Sequence, residues 1–107
     1  MSRKDIEYRP HVWPSVLQAA EWYEGEKAGL GGDFVDELET CFLRISEHPE
    51  QFPLALRRPA VHRAMVNRFP YAVYFVAEPS RVVVISVVHL KRAAGQWKRH
   101  TRRPRSN

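Results

Sequence analysis

Thiol chemistry is almost absent from this chain: Cys41 is the single cysteine in 107 residues. One cysteine excludes an intramolecular disulfide and with it the cross-linked scaffolds of small secreted domains. Its place in an apolar helical stripe makes Cys41 a core residue without a redox role. Long apolar runs are missing too. No stretch approaches the ~20 apolar residues a membrane span requires, and the N-terminal MSRKDIEYRP has no apolar run behind its charges, so a cytoplasmic protein without membrane contact is expected. The histidines, His11, His48, His62, His89 and His100, are scattered and have no paired cysteines beside them, so neither a metal nor a cofactor is expected. Gly29-Leu30-Gly31-Gly32 lacks a following Lys-Ser/Thr and follows a helical pattern, so it reads as a turn between helices and not as a phosphate loop. Internal repeats are absent, and only the last residues are of low complexity.

Acidic residues are scarce in one half only. Residues 1–56 hold five Lys/Arg against eleven Asp/Glu, a balance of −6, whereas residues 57–107 hold twelve against one, a balance of +11. A half this cationic draws a phosphate backbone or an acidic protein toward it.

What is present is organised around Val61–His89, the part rich enough in β-branched and aromatic residues to build a sheet. Val82–Val88 (VVVISVV) has one polar residue in seven, which predicts an interior strand covered on both faces. Tyr71–Val76 predicts a second strand, joined to it by Glu78-Pro79-Ser80 as a hairpin, and Val61–Val66 a third, with Pro70 at a strand start. Asp5–Tyr8 alternates and predicts an edge strand. Between them the period changes. Trp13, Val16, Leu17, Ala20 and Tyr23 are spaced as one helical face ending near Lys27, and Phe34, Leu38, Cys41, Phe42 and Ile45 as the inner stripe of a second helix starting close to Asp33. Trp22 joins Trp13, Tyr23, Phe34 and Phe42 as aromatic core packing. The expected fold is α+β, a small mostly antiparallel sheet with an N-terminal helical hairpin packed on it, in the order β-α-α-β-β-β. Residues 1–97 form the single domain: LKRAAGQW at 90–97 adds a short helical turn with Trp97 folding back as an anchor, and 98–107 is a basic, mobile tail.

Five pieces in order carry a resemblance: AAEWYE at 19–24, GLGGDF at 29–34, HPEQFP at 48–53, RFPYAVYF at 68–75 and VVISVVHLKR at 83–92. Together they resemble the RelE/ParE superfamily, the toxins of type II toxin–antitoxin modules, over roughly residues 5–97. The resemblance implies a bacterial growth inhibitor neutralised by an acidic antitoxin encoded beside it, in a toxin–antitoxin hetero-oligomer. The long helical hairpin and the FPY and H-x-x-R pieces look more like the ParE side, whose target is DNA gyrase and which has no known nuclease chemistry. The alternative is a RelE-like ribosome-dependent mRNA endoribonuclease, and a third reading is a non-toxic basic nucleic-acid-binding module. Many relatives continue the last motif with two adjacent arginines and a proline, where this chain has Arg92-Ala93-Ala94-Gly95.

Metal-free RNA cleavage needs a base, an acid and cations for the phosphorane charge. His62 and His89 are the candidates for proton transfer, with Arg63, Arg68 and Arg92 for charge stabilisation. Glu78 is the only carboxylate in the basic half and lies in the hairpin turn, so a non-enzymatic gyrase inhibitor is favoured. Its contacts with target or antitoxin are expected from Arg58, Arg63, Arg68, Tyr71, Lys91, Arg92 and Trp97.

Overall fold

The computed structural model describes residues 3–91. In chain order these form β1 (Asp5–Tyr8), α1 (Val12–Glu26), α2 (Leu30–Glu47), a 3-10 turn (Pro49–Gln51), β2 (Leu54–Arg57), β3 (Ala60–Met65), β4 (Tyr71–Ala77) and β5 (Arg81–His89). The fold is α+β: one mixed sheet in the order β1-β5-β4-β3-β2, with the two helices on one face. β1 runs parallel to β5 and every other neighbouring pair is antiparallel. No helix among the described residues is long and apolar enough to cross a membrane.

One strand more than expected follows the helices. β2 pairs with β3 through Leu54–His62 and Arg57–Ala60, yet Leu-Ala-Leu-Arg does not alternate and Leu54 is 50% exposed. Four residues between Pro53 and Pro59 carry no period-2 signal, and only the partner strand makes them extended.

The hairpin linker is shorter than the glycines suggest. α1 ends at Glu26 and α2 begins at Leu30, so Gly31 and Gly32 lie inside the first turn of α2. Gly29 caps that turn at φ +90, a left-handed conformation glycine adopts freely. The Glu24 carboxylate accepts hydrogen bonds from the N–H groups of Gly29 at 2.8 Å and Gly31 at 3.0 Å. The end of α1 thus satisfies donors at the start of α2 that have no partner within the helix. This also bears on phosphate binding, because the chain's own carboxylate holds those amides.

The inner stripe of α2 is buried throughout, and from α1 Val12 and Val16 join it against Val73, Phe75, Val82 and Val84 of the sheet. Leu17 and Trp22 depart from expectation: they are 59% and 61% exposed. Centred on Val12, Val16 and Tyr23, the buried arc of α1 puts these two side chains on opposite flanks. β5 is interior, between β1 and β4, with both faces buried. Val82 and Val84 meet the helices, while Ile85 and Val88 pack with Val61, Ala72 and Tyr74 on the other face.

Cys41 is buried beside Met65, to whose carbonyl its thiol points at 3.9 Å. Burial pushes the thiol up to about 11, the positive charge of Arg44 acting the other way. Because the folded state holds this proton more tightly than the unfolded state does, the associated stability is present below the ordinary thiol pKa of 9.0 and is lost as pH rises from there through about 11. At pH 8 a disulfide reagent should therefore label Cys41 far more slowly in the native protein than in denaturant. Equal rates in the two would contradict its burial.

Candidate functional site

The C-terminal end of β5 gathers the groups best placed for recognition. Tyr71, at the start of β4, stands opposite His89, at the end of β5, and their rings meet edge to face at 5.1 Å. Pro70 allows this strand start, since its missing N–H lies outside the ladder and its carbonyl accepts from Leu90 N–H at 2.8 Å. Tyr71 also packs on Phe34 at 4.9 Å and on Tyr23 at 6.3 Å, which ties the strand end to both helices. Beside this cluster α1 passes along β5 and leaves a cleft of about 690 Å³, lined by Trp22 and Tyr23 from the helix and by Tyr71, His89 and Lys91 from the sheet end. Among the described residues no aspartate or glutamate lines it.

His89 has a defined tautomer. Its Nδ1 accepts the Lys91 backbone N–H at 3.1 Å, so the neutral imidazole carries its proton on Nε2 and acts there as a donor. Partial burial raises the Tyr23 phenol, which keeps it a neutral donor as well. With the Lys91 ammonium these groups suit an anionic or acceptor-rich partner.

The other residues singled out from the sequence are distributed elsewhere. His62 lies in β3, stacked on Phe75 at 5.2 Å, with Nδ1 2.8 Å from the Phe52 carbonyl; it locks β3 against the segment after α2. Arg63, next along β3, is exposed and stands opposite Tyr74 on the face away from the helices. Arg68 occupies a loop at φ +72 and pairs with Asp33 at 3.5 Å and Glu37 at 3.6 Å of α2, its guanidinium 5.5 Å from the Phe69 ring. Arg58 is in the β2–β3 turn, at the end of the sheet opposite His89. Tyr71, His89 and Lys91 are therefore together, and His62, Arg63 and Arg58 are not with them. Arg92 and Trp97, and the 98–107 tail, lie outside the described residues.

The charge halves are partly stitched to each other. Arg81 pairs with Glu7 and, at 2.6 Å, with Glu78, as Arg68 does with Asp33 and Glu37. Such exposed pairs add little to stability because solvent screens them, but they reduce the positive field that reaches a partner. No group of three or more His, Cys, Asp or Glu among the described residues is arranged to hold a metal.

No protein-family model matches the chain, and no curated protein matches it either.

Trp22, Tyr23 and His11 of the cleft were not singled out as site residues in the sequence. The signal in the sequence was slight: His11, Ser15, Gln18 and Trp22 recur at helical spacing on one flank of α1, and only the tryptophan sets that flank apart.

Proposed function

We propose that this protein is the toxin of a type II toxin–antitoxin module, on the ParE side of the RelE/ParE superfamily, acting by protein contact on DNA gyrase and neutralised by an acidic antitoxin. The observation that carries the reading is the architecture: a strand, a long helical hairpin and then the remaining strands, with the hairpin laid over one face of a small sheet whose first strand pairs with its last. The five motif pieces at 19–24, 29–34, 48–53, 68–75 and 83–92 fall on that frame, at the hairpin, its linker, the turn after α2 and the β4–β5 pair.

Contact is favoured over RNA cleavage by the engagement of the candidate groups. His62 is committed to Phe52 and Phe75, and Arg68 to Asp33 and Glu37. The basic nitrogen of the neutral His89 ring, Nδ1, is occupied by the Lys91 N–H, so it is not open to take a proton from a 2′-hydroxyl. The ribonuclease reading keeps one supporting observation, the grouping of His89, Tyr71 and Lys91 at one cleft.

Induced expression in a bacterial host, followed in parallel by gyrase supercoiling and by messenger cleavage, tests the proposal. Growth arrest with lost supercoiling and intact messengers is the expected result. Cleaved messengers with normal supercoiling would replace it with the ribonuclease reading, and unimpaired growth in a host without the antitoxin would remove the toxin reading altogether.

A further inference from the structure

We infer that the cleft between α1 and the end of β5 is a binding site for a nucleoside monophosphate, the base lying on the Trp22 and Tyr71 side and the phosphate meeting Lys91 and His89. This inference does not depend on the toxin reading, because it uses only the cleft.

Size comes first. At about 690 Å³ the cleft falls within the roughly 300–1,000 Å³ of sites that take small molecules. Its walls come from a helix and a sheet that are packed together through Tyr23, Phe34 and Tyr71, so it is a formed feature of the fold and not a gap between loose segments.

Charge is the second argument. The helical half of the chain is strongly acidic and α1 alone carries Glu21, Glu24 and Glu26, yet none of the three lines the cleft, whose charged and titratable lining among the described residues is His11, His89, Lys91 and two tyrosines. Arg68 and Arg81 are each held by two carboxylates. Lys91 has no carboxylate partner among the described residues. A phosphate at this end of the cleft would meet an ammonium and an imidazole N–H, which together give charge-assisted hydrogen bonds.

The third argument is the ring surface. Trp22 is 61% exposed, whereas Trp13, the other tryptophan of α1, packs against the core. Among the described residues its one aromatic neighbour is Tyr23, at 5.1 Å and 78°, so most of the indole is left to solvent. Tyr71 and His89 add two more rings at the other wall. An exposed indole near a cation matches a flat base joined to an anion, since every nucleobase has a face to stack and stacking is tolerant of its identity. A simple anion would leave the exposed indole unused, and an apolar ligand would leave Lys91 and His89 unused.

Calorimetric titration of the full chain with AMP, adenosine and inorganic phosphate separates these cases. AMP should bind at least about tenfold more tightly than adenosine or phosphate alone, because each half would contribute through its own contacts. Lys91→Gln should weaken AMP by about tenfold and leave adenosine unchanged, the loss expected of one charge-assisted contact. Trp22→Ala should weaken AMP and adenosine alike. Both side chains are exposed, so both variants should melt as the wild type does. AMP binding no tighter than inorganic phosphate would overturn the inference. So would unchanged AMP affinity in both variants, which would assign the binding to the basic surface at large.

Discussion

Ile85→Asp is expected to yield no folded protein. Ile85 is 1% exposed on the sheet face away from the helices, packed with Val61, Ala72, Tyr74 and Val88. It is also the extra residue of a β-bulge, since Tyr74 pairs with Ser86 and Phe75 with Val84, so no register shift can carry it to water without breaking the ladder on both sides. Burying an unpaired carboxylate there costs several kcal/mol, against a total stability of about 5–15 kcal/mol for a domain of this kind. Loss of the cooperative thermal transition and of soluble protein is the expected result, with Leu17→Asp, exposed on α1, melting close to wild type. A soluble Ile85→Asp protein with an unchanged midpoint would mean that β5 is not interior.

The second large effect is local to the hairpin. A Cβ placed on Gly31 would stand 2.5 Å from the carbonyl oxygen of Ala20 and 3.1 Å from the Glu24 side chain. Backbone oxygen cannot swing aside, so Gly31→Ala must push α1 and α2 apart, at a cost of about 1–3 kcal/mol for an overpacked contact. For a domain of this size that lowers the thermal midpoint by roughly 4–8 °C per kcal/mol. Gly32→Ala is the control. Nothing lies within 4 Å of its added Cβ, and alanine is favoured over glycine in a helix by up to about 1 kcal/mol, so a neutral or raised midpoint is expected. Equal midpoints for the two variants would show that the helices do not approach closely at Gly31.

These two variants also mark what could be read from the sequence and what could not. The stripe of Phe34, Leu38, Cys41, Phe42 and Ile45 and the run Val82–Val88 announced a core helix and an interior strand because their periods are long and unbroken. The glycines misled by two or three residues, because a glycine needed for close helix approach and a glycine that ends a helix look alike in sequence. β2 escaped notice because its pairing with β3, and nothing in Leu54–Arg57 itself, makes it a strand. Among the site residues, His89 was read as a candidate for proton transfer and Tyr71 and Lys91 as contact residues, and only the pairing of β4 with β5 brings the three to one place. Arg68 was not legible as a paired residue, since Asp33 and Glu37 lie more than thirty positions away and only the packing of α2 brings them near.

The parallel pairing of β1 with β5 has a consequence for how the molecule comes into being. Asp5 faces Arg81 and Tyr8 faces Val84, so the first strand to be synthesised has as its neighbour the last strand described. Antiparallel hairpins such as β3–β4 and β4–β5 close short loops, and the α1–α2 unit is latched by Glu24 only five and seven residues from its partners. All of these can form soon after they leave the ribosome. β1 cannot. Until β5 emerges it has no strand to join, and the apolar core under α2 lacks Val82 and Val84, the part that β5 supplies. A ribosome stalled before Arg81 therefore holds a helical hairpin that is only partly covered and a first strand without its neighbour, and the architecture closes only when β1 and β5 meet.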